Sequence, residues 1–380
     1  MKRIYLDNNA TTQLLPEAFY AMEPFLNREF GNASSMHQEG RWARRALEAA
    51  REQMAQSLDS EPNQIIFTSG GTEANHLAVM GFAGMPLARV VTSSIEHPAV
   101  QGCFEVLGRR GFSVVRVPVD TTGIVDHAEF LNALNADARM VSIMLVNNET
   151  GAIQPVAKLA AEARQRGITF HTDAVQAVGR MNLSFRQLGV TALSLSAHKF
   201  HGPGGIGALI VDNKTLLHPV AFGGHQEFGF RPGTEPVALV VGMAKALECC
   251  LENIEQEADR LRRLRDSLEQ RIRDKAGVAI LNGPVHDRAA NVLNLRFPNV
   301  DAQVAVLALD LMGLACSTGS ACASGASTPS PTLLAMGLSE QEARSSIRFS
   351  LCRFTTLDDV ETAAELVSKF IRRIATCSSG

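Results

Sequence analysis

Short apolar runs alternate with amphipathic stretches over the first two-thirds of the chain, the pattern of a mainly parallel α/β sheet covered by helices. The runs predict strands at Ile65 to Thr68, Val90 to Ser93, Ser113 to Val117, Met140 to Val146, Thr169 to Thr172, Ala192 to Ser196 and Gly207 to Ile210. Amphipathic spacing predicts helices at Arg41 to Gln56, Glu73 to Gly81, Val156 to Arg166 and Phe185 to Leu188. Many of the strands end in a polar loop: SGGTEAN, SIEHPAV, NNETG, HTDAVQ and SAHKFHGPGG. Ligands of such sheets sit outside the carboxyl ends of the strands, so these loops are expected to converge on one site.

From about Pro236 the pattern turns helical and, past Glu252, highly charged. Glu252 to Lys275 predicts one long exposed or domain-bridging helix, with Arg260, Arg262, Arg263 and Arg265 on its solvated face. VLNLRF then reads as a strand, Asp301 to Met312 as a helix, and a second charged helix lies near the end, together a smaller α+β domain. Between them, Ser317 to Pro331 is rich in Ser, Thr, Gly and Pro, which favours a mobile loop over a packed element.

Composition narrows the class without naming it. The 380 residues are 46% hydrophobic and 20% charged with a formal net charge of −3, which excludes a disordered chain and gives no global field for nucleic acid or an anionic membrane. Arg41, Arg44 and Arg45 are either a local basic patch or one solvated helix face. Seven irregularly spaced cysteines make neither a disulfide scaffold nor a zinc ribbon, so free thiols, a reducing compartment and no metal site are expected. MKRIYLDNNATT runs straight into strand-like sequence with no signal or transit peptide visible, and stretches such as Val237 to Met243 fall short of the roughly 20 residues that span a bilayer. A cytoplasmic enzyme of two or three domains is expected.

The chemistry concentrates between His171 and Gly205. One strand there ends in Asp173, with Gln176 one turn later; the next ends in Ser196, His198 and Lys199 before a glycine-rich turn. A lysine after an apolar strand is unusual; desolvation lowers an amine's pKa and makes it a nucleophile able to form a Schiff base. An acidic residue opposite it suits a pyridinium nitrogen, the pairing expected for pyridoxal phosphate. A surface lysine after an edge strand would leave the same trace.

A phosphate cradle favours the first reading: in SGGTEAN the amides of Gly71 and Thr72, the Thr72 hydroxyl and a helix dipole can face an anion, although a glycine turn opening a helix is common. GPGGIG, followed by a strand, reads as a tight turn. His97 in SIEHPAV is either a satisfied structural residue or a flat ring that stacks on a cofactor and moves protons. Asn148 in NNETG is open in the same way. Arg348 in SIRFS sits where a strand carries a guanidinium inward, and a bidentate carboxylate would satisfy it. Cys322, in Gly-Ser-Ala-Cys-Ala-Ser-Gly, is an incidental surface thiol or a reactive one, whereas Cys103, Cys249 and Cys316 read as buried.

Taken in order, IYLDNNATT, GNASSMH, TSGGTEAN, IEHPAV, VNNETGAIQP, HTDAVQAVG, SAHKFHGPGGIGAL, FRPGTEP, TGSACASG and IRFSLCRFTT closely resemble the cysteine desulfurases of the NifS/IscS-like group, in the class V branch of fold type I pyridoxal phosphate enzymes. The resemblance runs nearly end to end. It implies a large cofactor domain over residues 16–255 with a mainly parallel seven-stranded sheet, and a small α+β domain from residues 1–15 and 256–380 that carries the cysteine loop.

It also implies that Lys199 holds pyridoxal 5'-phosphate as a Schiff base, Asp173 pairs with the pyridine nitrogen, Gln176 contacts the phenolic oxygen, and His97 stacks on the ring. Gly71, Thr72, Ser196 and His198 would hold the phosphate, Asn148 and Arg348 the substrate carboxylate. Thr234 would reach the phosphate of the neighbouring subunit of a homodimer.

The implied reaction takes sulfur from L-cysteine, leaves L-alanine, and makes a persulfide on Cys322 for an acceptor protein in iron-sulfur cluster or thio-cofactor biosynthesis. A selenocysteine lyase or other class V lyase or aminotransferase is the alternative, and a sulfur carrier without turnover is the non-enzymatic one. The chain carries His225 where the family usually has glycine, Phe228 where it has arginine, Pro232 where it has a small residue, and Cys352 where it has glycine. It stops soon after its last helix, so the extended tail with which housekeeping members engage an iron-sulfur scaffold is not expected.

Overall fold

A computed structural model describes residues 3–84, 87–134, 137–212, 217–319 and 328–377. Its strands are β1 (Ile4–Tyr5), β2 (Ile65–Thr68), β3 (Arg89–Ser93), β4 (Ser113–Val117), β5 (Ala138–Ser142), β6 (Thr169–Asp173), β7 (Ala192–Ser196), β8 (Gly207–Val211), β9 (Ile280–Leu281), β10 (Val292–Arg296), β11 (Leu314–Ala315) and β12 (Ser346–Ser350). Its helices are α1 (Pro16–Asn27), α2 (Gln38–Ser57), α3 (Gly71–Ala83), α4 (Pro98–Arg109), α5 (His127–Ala133), α6 (Val156–Gln165), α7 (Phe185–Leu188), α8 (Val237–Leu251), α9 (Ile254–Ala276), α10 (Ala302–Leu311), α11 (Pro331–Ala335), α12 (Glu340–Arg344) and α13 (Leu357–Cys377).

All seven strands expected from the apolar runs join one sheet in the order β2-β8-β7-β6-β5-β3-β4. Only β8 runs against its neighbours; the remaining pairs are parallel. Alternate residues of each strand serve opposite faces. Phe67, Val91, Val141, Phe170 and Leu193 pack with α2, α6 and α8, while Ile66, Val90, Met140 and Ala192 pack with α3 and α4. The run expected to reach Val146 leaves the sheet early. Past Ser142, Ile143 and Leu145 keep hydrogen bonds to β6, whereas the Met144 N–H turns to the Glu96 carboxylate at 2.9 Å. That departure places Met144 and Val146 in the lining of a cavity at the ends of the strands.

A second core gathers both ends of the chain. β10 lies between β12 and β9, and β1 pairs with β11; Ile4 and Leu6 pack among Leu264 and Leu268 of α9, Leu293, Phe349 and Val367 of α13.

The charged stretch is one helix, α9, as the pattern predicts; Asn253, at φ of 58°, separates it from the apolar α8. One expectation fails here: Arg265 is buried and does not belong to the solvated face. It lies four residues after Leu261 and three before Leu268, on the buried stripe of α9, where the Asp266 carboxylate accepts from its guanidinium at 2.7 Å and the Ala289 carbonyl at 2.9 Å. Arg262 and Arg263 are exposed, and Arg260 is half-buried against Glu257. Arg41, Arg44 and Arg45 lie on the solvated face of α2.

Candidate active site

The loops that follow β2, β3, β5, β6 and β7 line one cavity of about 510 Å³, closed on its other side by Asn9, Ala10, Thr328, Pro331, Thr332 and Arg348 from the region of the second core. Lys199, Asp173, Gln176, His97, Gly71, Thr72, Ser196, His198, Asn148 and Arg348 all contribute to its lining. Thr234 does not: it is exposed, in a segment tied to α3 by the Arg231–Glu73 ion pair at 3.1 Å. Cys322 lies outside the described residues.

Lys199 ends the short turn after β7, and its Nζ donates to the main-chain carbonyls of Asn9 at 2.6 Å and Ala10 at 2.7 Å. Asp173 closes β6 almost fully buried. Its Oδ1 accepts from the Val175 N–H at 3.0 Å and its Oδ2 from the Asn75 amide at 2.6 Å. Gln176 donates to the Asn9 carbonyl at 3.1 Å and accepts from Arg180 at 2.6 Å. Arg180 also donates to the carbonyls of Asn8 and Lys199, so it stitches the lysine turn to the N-terminal segment from below. Burial brings its pKa down to about 10, which leaves it charged at neutral pH.

The turn from β2 into α3 is shaped as an anion cradle. Gly70 adopts φ of +153° as the residue before α3, and a Cβ on Gly71 would lie 2.7 Å from Val175 Cγ2. Close approach of the β6, β7 and α3 loops therefore requires glycine here, and it sets free N–H groups at the helix start towards the cavity. Ser196 packs on the same turn, its Cβ 3.4 Å from where that Gly71 Cβ would be. His198 Nδ1 lies 3.1 Å from Thr11 Oγ1; burial, with the charges of Lys199 and Arg180, lowers its pKa to about 4, so the ring is neutral.

His97 caps α4, its Nδ1 accepting from the Ala99 N–H at 3.1 Å, which leaves the proton of a neutral ring on Nε2. The neighbouring Glu96 is buried: its Oε1 accepts from Ser93 at 2.5 Å and Met144 N–H at 2.9 Å, and its Oε2 has no partner among the described residues. Burial pushes its carboxyl up to about 8.

Arg348 is the largest fully buried side chain. Its guanidinium already holds a carboxylate, that of Asp7, at 2.7 Å, and donates to the carbonyls of Asn148 at 3.1 Å and Gly319 at 2.9 Å. Its Nε has no partner among the described residues. A substrate carboxylate at this arginine would therefore share it with Asp7.

Sequence reasoning passed over Asn9, Asn75, Glu96, Glu149 and Arg180. Asn75 and Glu96 stood inside quoted motifs, and their positions one turn after the cradle and one residue before His97 were the available signal. Asn9 acts largely through its carbonyl, which leaves no signature in residue type.

The five described thiols are all free. Burial pushes Cys316 up to about 12 and Cys103 and Cys250 up to about 11, and raises Cys249 and Cys352 as well. Cys352 lines a separate small cavity behind Lys199, with Arg180 and Cys250. Phe228 stacks on Arg51, 5.2 Å from the guanidinium carbon to the ring centre, where a second arginine would meet a like charge.

The donor set fits pyridoxal phosphate. A cavity of that size is lined by an amine, a buried carboxylate, a glycine cradle at the start of α3 and the imidazoles of His97 and His198.

The chain matches the family described as Aminotransferase class-V over residues 4–362. It is 42% identical over 382 residues to "Cysteine desulfurase IscS" of Dictyoglomus turgidum, covering 100% of this chain and 97% of that protein. It is 40% identical over 380 residues to "Cysteine desulfurase" of Trichormus azollae, covering 100% and 95%. Among solved structures, a "NIFS-LIKE PROTEIN" superposes with a TM-score of 0.92 at 32% identity over 97% of this chain and 99% of that one. "SspA in complex with cysteine" superposes with a TM-score of 0.82 at 32% identity over 93% and 100%.

Proposed function

We propose a function from one premise: this chain belongs to the aminotransferase class-V family, and within it to the cysteine desulfurases. It has the fold type I architecture of pyridoxal phosphate enzymes, takes pyridoxal 5'-phosphate as cofactor, and removes sulfur from L-cysteine to leave L-alanine. The observation that carries the residue assignments is the placing of Lys199 and Asp173 on neighbouring strand ends of one cavity, each held by named donors or acceptors.

When bound, the cofactor supplies an electron sink for the substrate's α-carbon. The protein's part is orientation and proton handling. Lys199 would hold the cofactor, and its Nζ would take the substrate's α-proton. Asp173, fixed by Asn75 and Val175, faces the pyridine nitrogen, and Gln176 the phenolic oxygen. Gly71, Thr72, Ser196 and His198 would cradle the phosphate, His97 would stack on the ring, and Arg348 with Asn148 would orient the substrate carboxylate.

Cys322 as thiolate attacks the substrate sulfur. The sulfur–carbon bond breaks as the sulfur–sulfur bond forms, the electron pair stays on the carbon fragment, and a proton there completes alanine. A free thiol has a pKa of about 8.5, so His97 or the substrate amine assists its ionisation. The protonated state of the five described thiols supports this division of labour.

The chain works as a homodimer in which Thr234 reaches the partner's phosphate. Exposed apolar side chains support this: Phe19 and Tyr20 on α1, Phe30 and Met36 after it, Trp42 on α2, and Phe222 and Phe228 in the segment leading to Thr234. Sulfur passes to an acceptor protein, and the enzyme works in the cytoplasm; among the described residues no helix is long and apolar enough to cross a membrane. The two hydrophobic cores support a large domain over residues 16–255 and a small one from residues 1–15 and 256–380. The test is alanine release from L-cysteine by the purified, visibly coloured protein; a colourless protein that takes up no pyridoxal phosphate would overturn the reading.

A further inference from the structure

Glu149 stands in the NNETG turn beside Asn148, and the turn is rigid. Asn147 Oδ1 accepts from the N–H of Glu149 at 2.9 Å and of Thr150 at 3.0 Å, while the Glu149 carbonyl accepts from Asn294 of β10 at 3.1 Å. From that base the side chain points into the active cavity, 5% exposed. Its Oε2 accepts from the Ser330 hydroxyl at 2.5 Å, and the Thr332 hydroxyl also bonds the carboxylate.

The same oxygen touches the other side of the cysteine segment. Gly319 adopts φ of +102°, and a Cβ there would lie 2.7 Å from Glu149 Oε2. Gly319 is held in turn by Arg348, which takes its carbonyl at 2.9 Å, and Arg348 exchanges main-chain hydrogen bonds with Ser317. Ser317 to Gly319 enters the segment that contains Cys322, and Ser330 to Thr332 leaves it. One buried carboxylate thus gathers both stems at the wall of the cavity, next to the arginine assigned to the substrate.

We propose that Glu149 is a positioning residue: it pins the two stems of the Cys322 segment together and so sets the distance from which the thiol reaches the substrate sulfur. The inference rests on the desulfurase reading above. It separates Glu149 from residues that hold the cofactor, because its contacts are to the stems and to the main chain.

The test compares wild-type, Glu149→Gln, Glu149→Ala and Ser330→Ala holoenzymes in a single turnover with L-cysteine. Two signals are followed: the change in the cofactor's visible band on substrate addition, and persulfide on the Cys322 peptide by mass. Glu149→Ala is expected to keep the band change while persulfide formation slows about 10- to 100-fold, the range of an ångström-scale misplacement. Glu149→Gln, whose amide oxygen still accepts from Ser330, recovers most of the rate, and Ser330→Ala loses a smaller part of it.

Persulfide formation at the wild-type rate in Glu149→Ala would overturn the proposal, as would loss of the band change in step with the persulfide. Should Glu149→Ala fail to fold, Ser330→Ala decides, and an unchanged rate there has the same meaning. A wild-type protein that forms alanine but no persulfide on Cys322 removes the desulfurase reading of that thiol instead.

Discussion

Lys199 Nζ donates to the main-chain carbonyl of Asn9 at 2.6 Å, so the amine of the large sheet is held by the N-terminal segment. That segment belongs to the second core, through β1 on β11 and the Asn8 N–H on the Ser350 carbonyl. The Asn9 side chain fixes the carbonyl in place, donating to Asn148 and accepting from Asn291. Asn9→Ala is therefore expected to lower kcat for alanine formation about tenfold, the scale of one hydrogen bond to a charged group, with the protein still folded by circular dichroism. An unchanged kcat would show that the carbonyl needs no such support.

Lys199→Ala is expected to lose the normal visible band of the bound cofactor and more than about 10³-fold in turnover, as happens when a nucleophile is removed. Absorbance and alanine release on one preparation check this.

Asn75→Ala leaves Asp173 Oδ2 without its donor in a buried site. A loss of about 1.5–3 kcal/mol of interaction is expected, read as a rise in the dissociation constant for pyridoxal phosphate measured by fluorescence titration. Equal affinities would mean that Asp173 is held sufficiently by Val175 alone.

Arg51 and Glu227 form a two-armed ion pair at 3.0 and 2.8 Å, each side chain 3% exposed, with the Phe67 N–H also on the carboxylate and the Phe67 ring 4.5 Å from the guanidinium carbon. Removing Glu227 leaves the buried Arg51 with only the part-exposed Glu48 carboxylate at 3.2 Å and the Ile65 carbonyl at 2.7 Å. Glu227→Ala should destabilise the fold by about 3–5 kcal/mol in denaturant titration, and the double variant Arg51→Met, Glu227→Leu should recover part of it. A single variant as stable as the wild type contradicts the assignment.

The pH dependence of stability has a defined sign. Glu96, pushed up to about 8 by burial, binds its proton in the folded protein where the unfolded chain, with an ordinary carboxyl, has lost it. Its contribution is whole below the unfolded value, declines as pH rises above that, and is gone beyond about 8. Glu96→Gln should therefore gain stability over wild type between pH 5 and 8, measured by thermal melting of the holoprotein. His171 acts on the acid side: buried between Ser142 and Ser194, its pKa falls to about 3, so its contribution is present above the ordinary histidine value and fades as pH drops. A constant difference between Glu96→Gln and wild type across that range would contradict a protonated Glu96.

Much of this was legible in residue order. Strands buried on both faces read as apolar runs, and the polar loops after them carried the motif residues to one sheet edge, so Lys199, Asp173, His97 and the cradle fell together in the cavity as expected. What escaped was of two kinds. Asn9 works by its main chain and reaches the site from 190 positions away, a contact that only the folding of the second core creates. Arg265 carries a charge that suggests a solvated face, yet the spacing from Leu261 to Leu268 puts it on the buried stripe of α9. Glu149 was overlooked because its partners, Gly319 and Ser330, lie far along the chain and become neighbours only when β10 and β12 dock against the NNETG turn.

The central claim is that sulfur leaves L-cysteine for Cys322. It is tested most directly by mass spectrometry of the holoprotein after one turnover with L-cysteine, without reductant. The account predicts that the peptide containing Cys322 becomes one sulfur atom heavier in the wild type, and that Cys322→Ala keeps the visible band but gains no sulfur on any cysteine. Sulfur release undiminished in Cys322→Ala would contradict it.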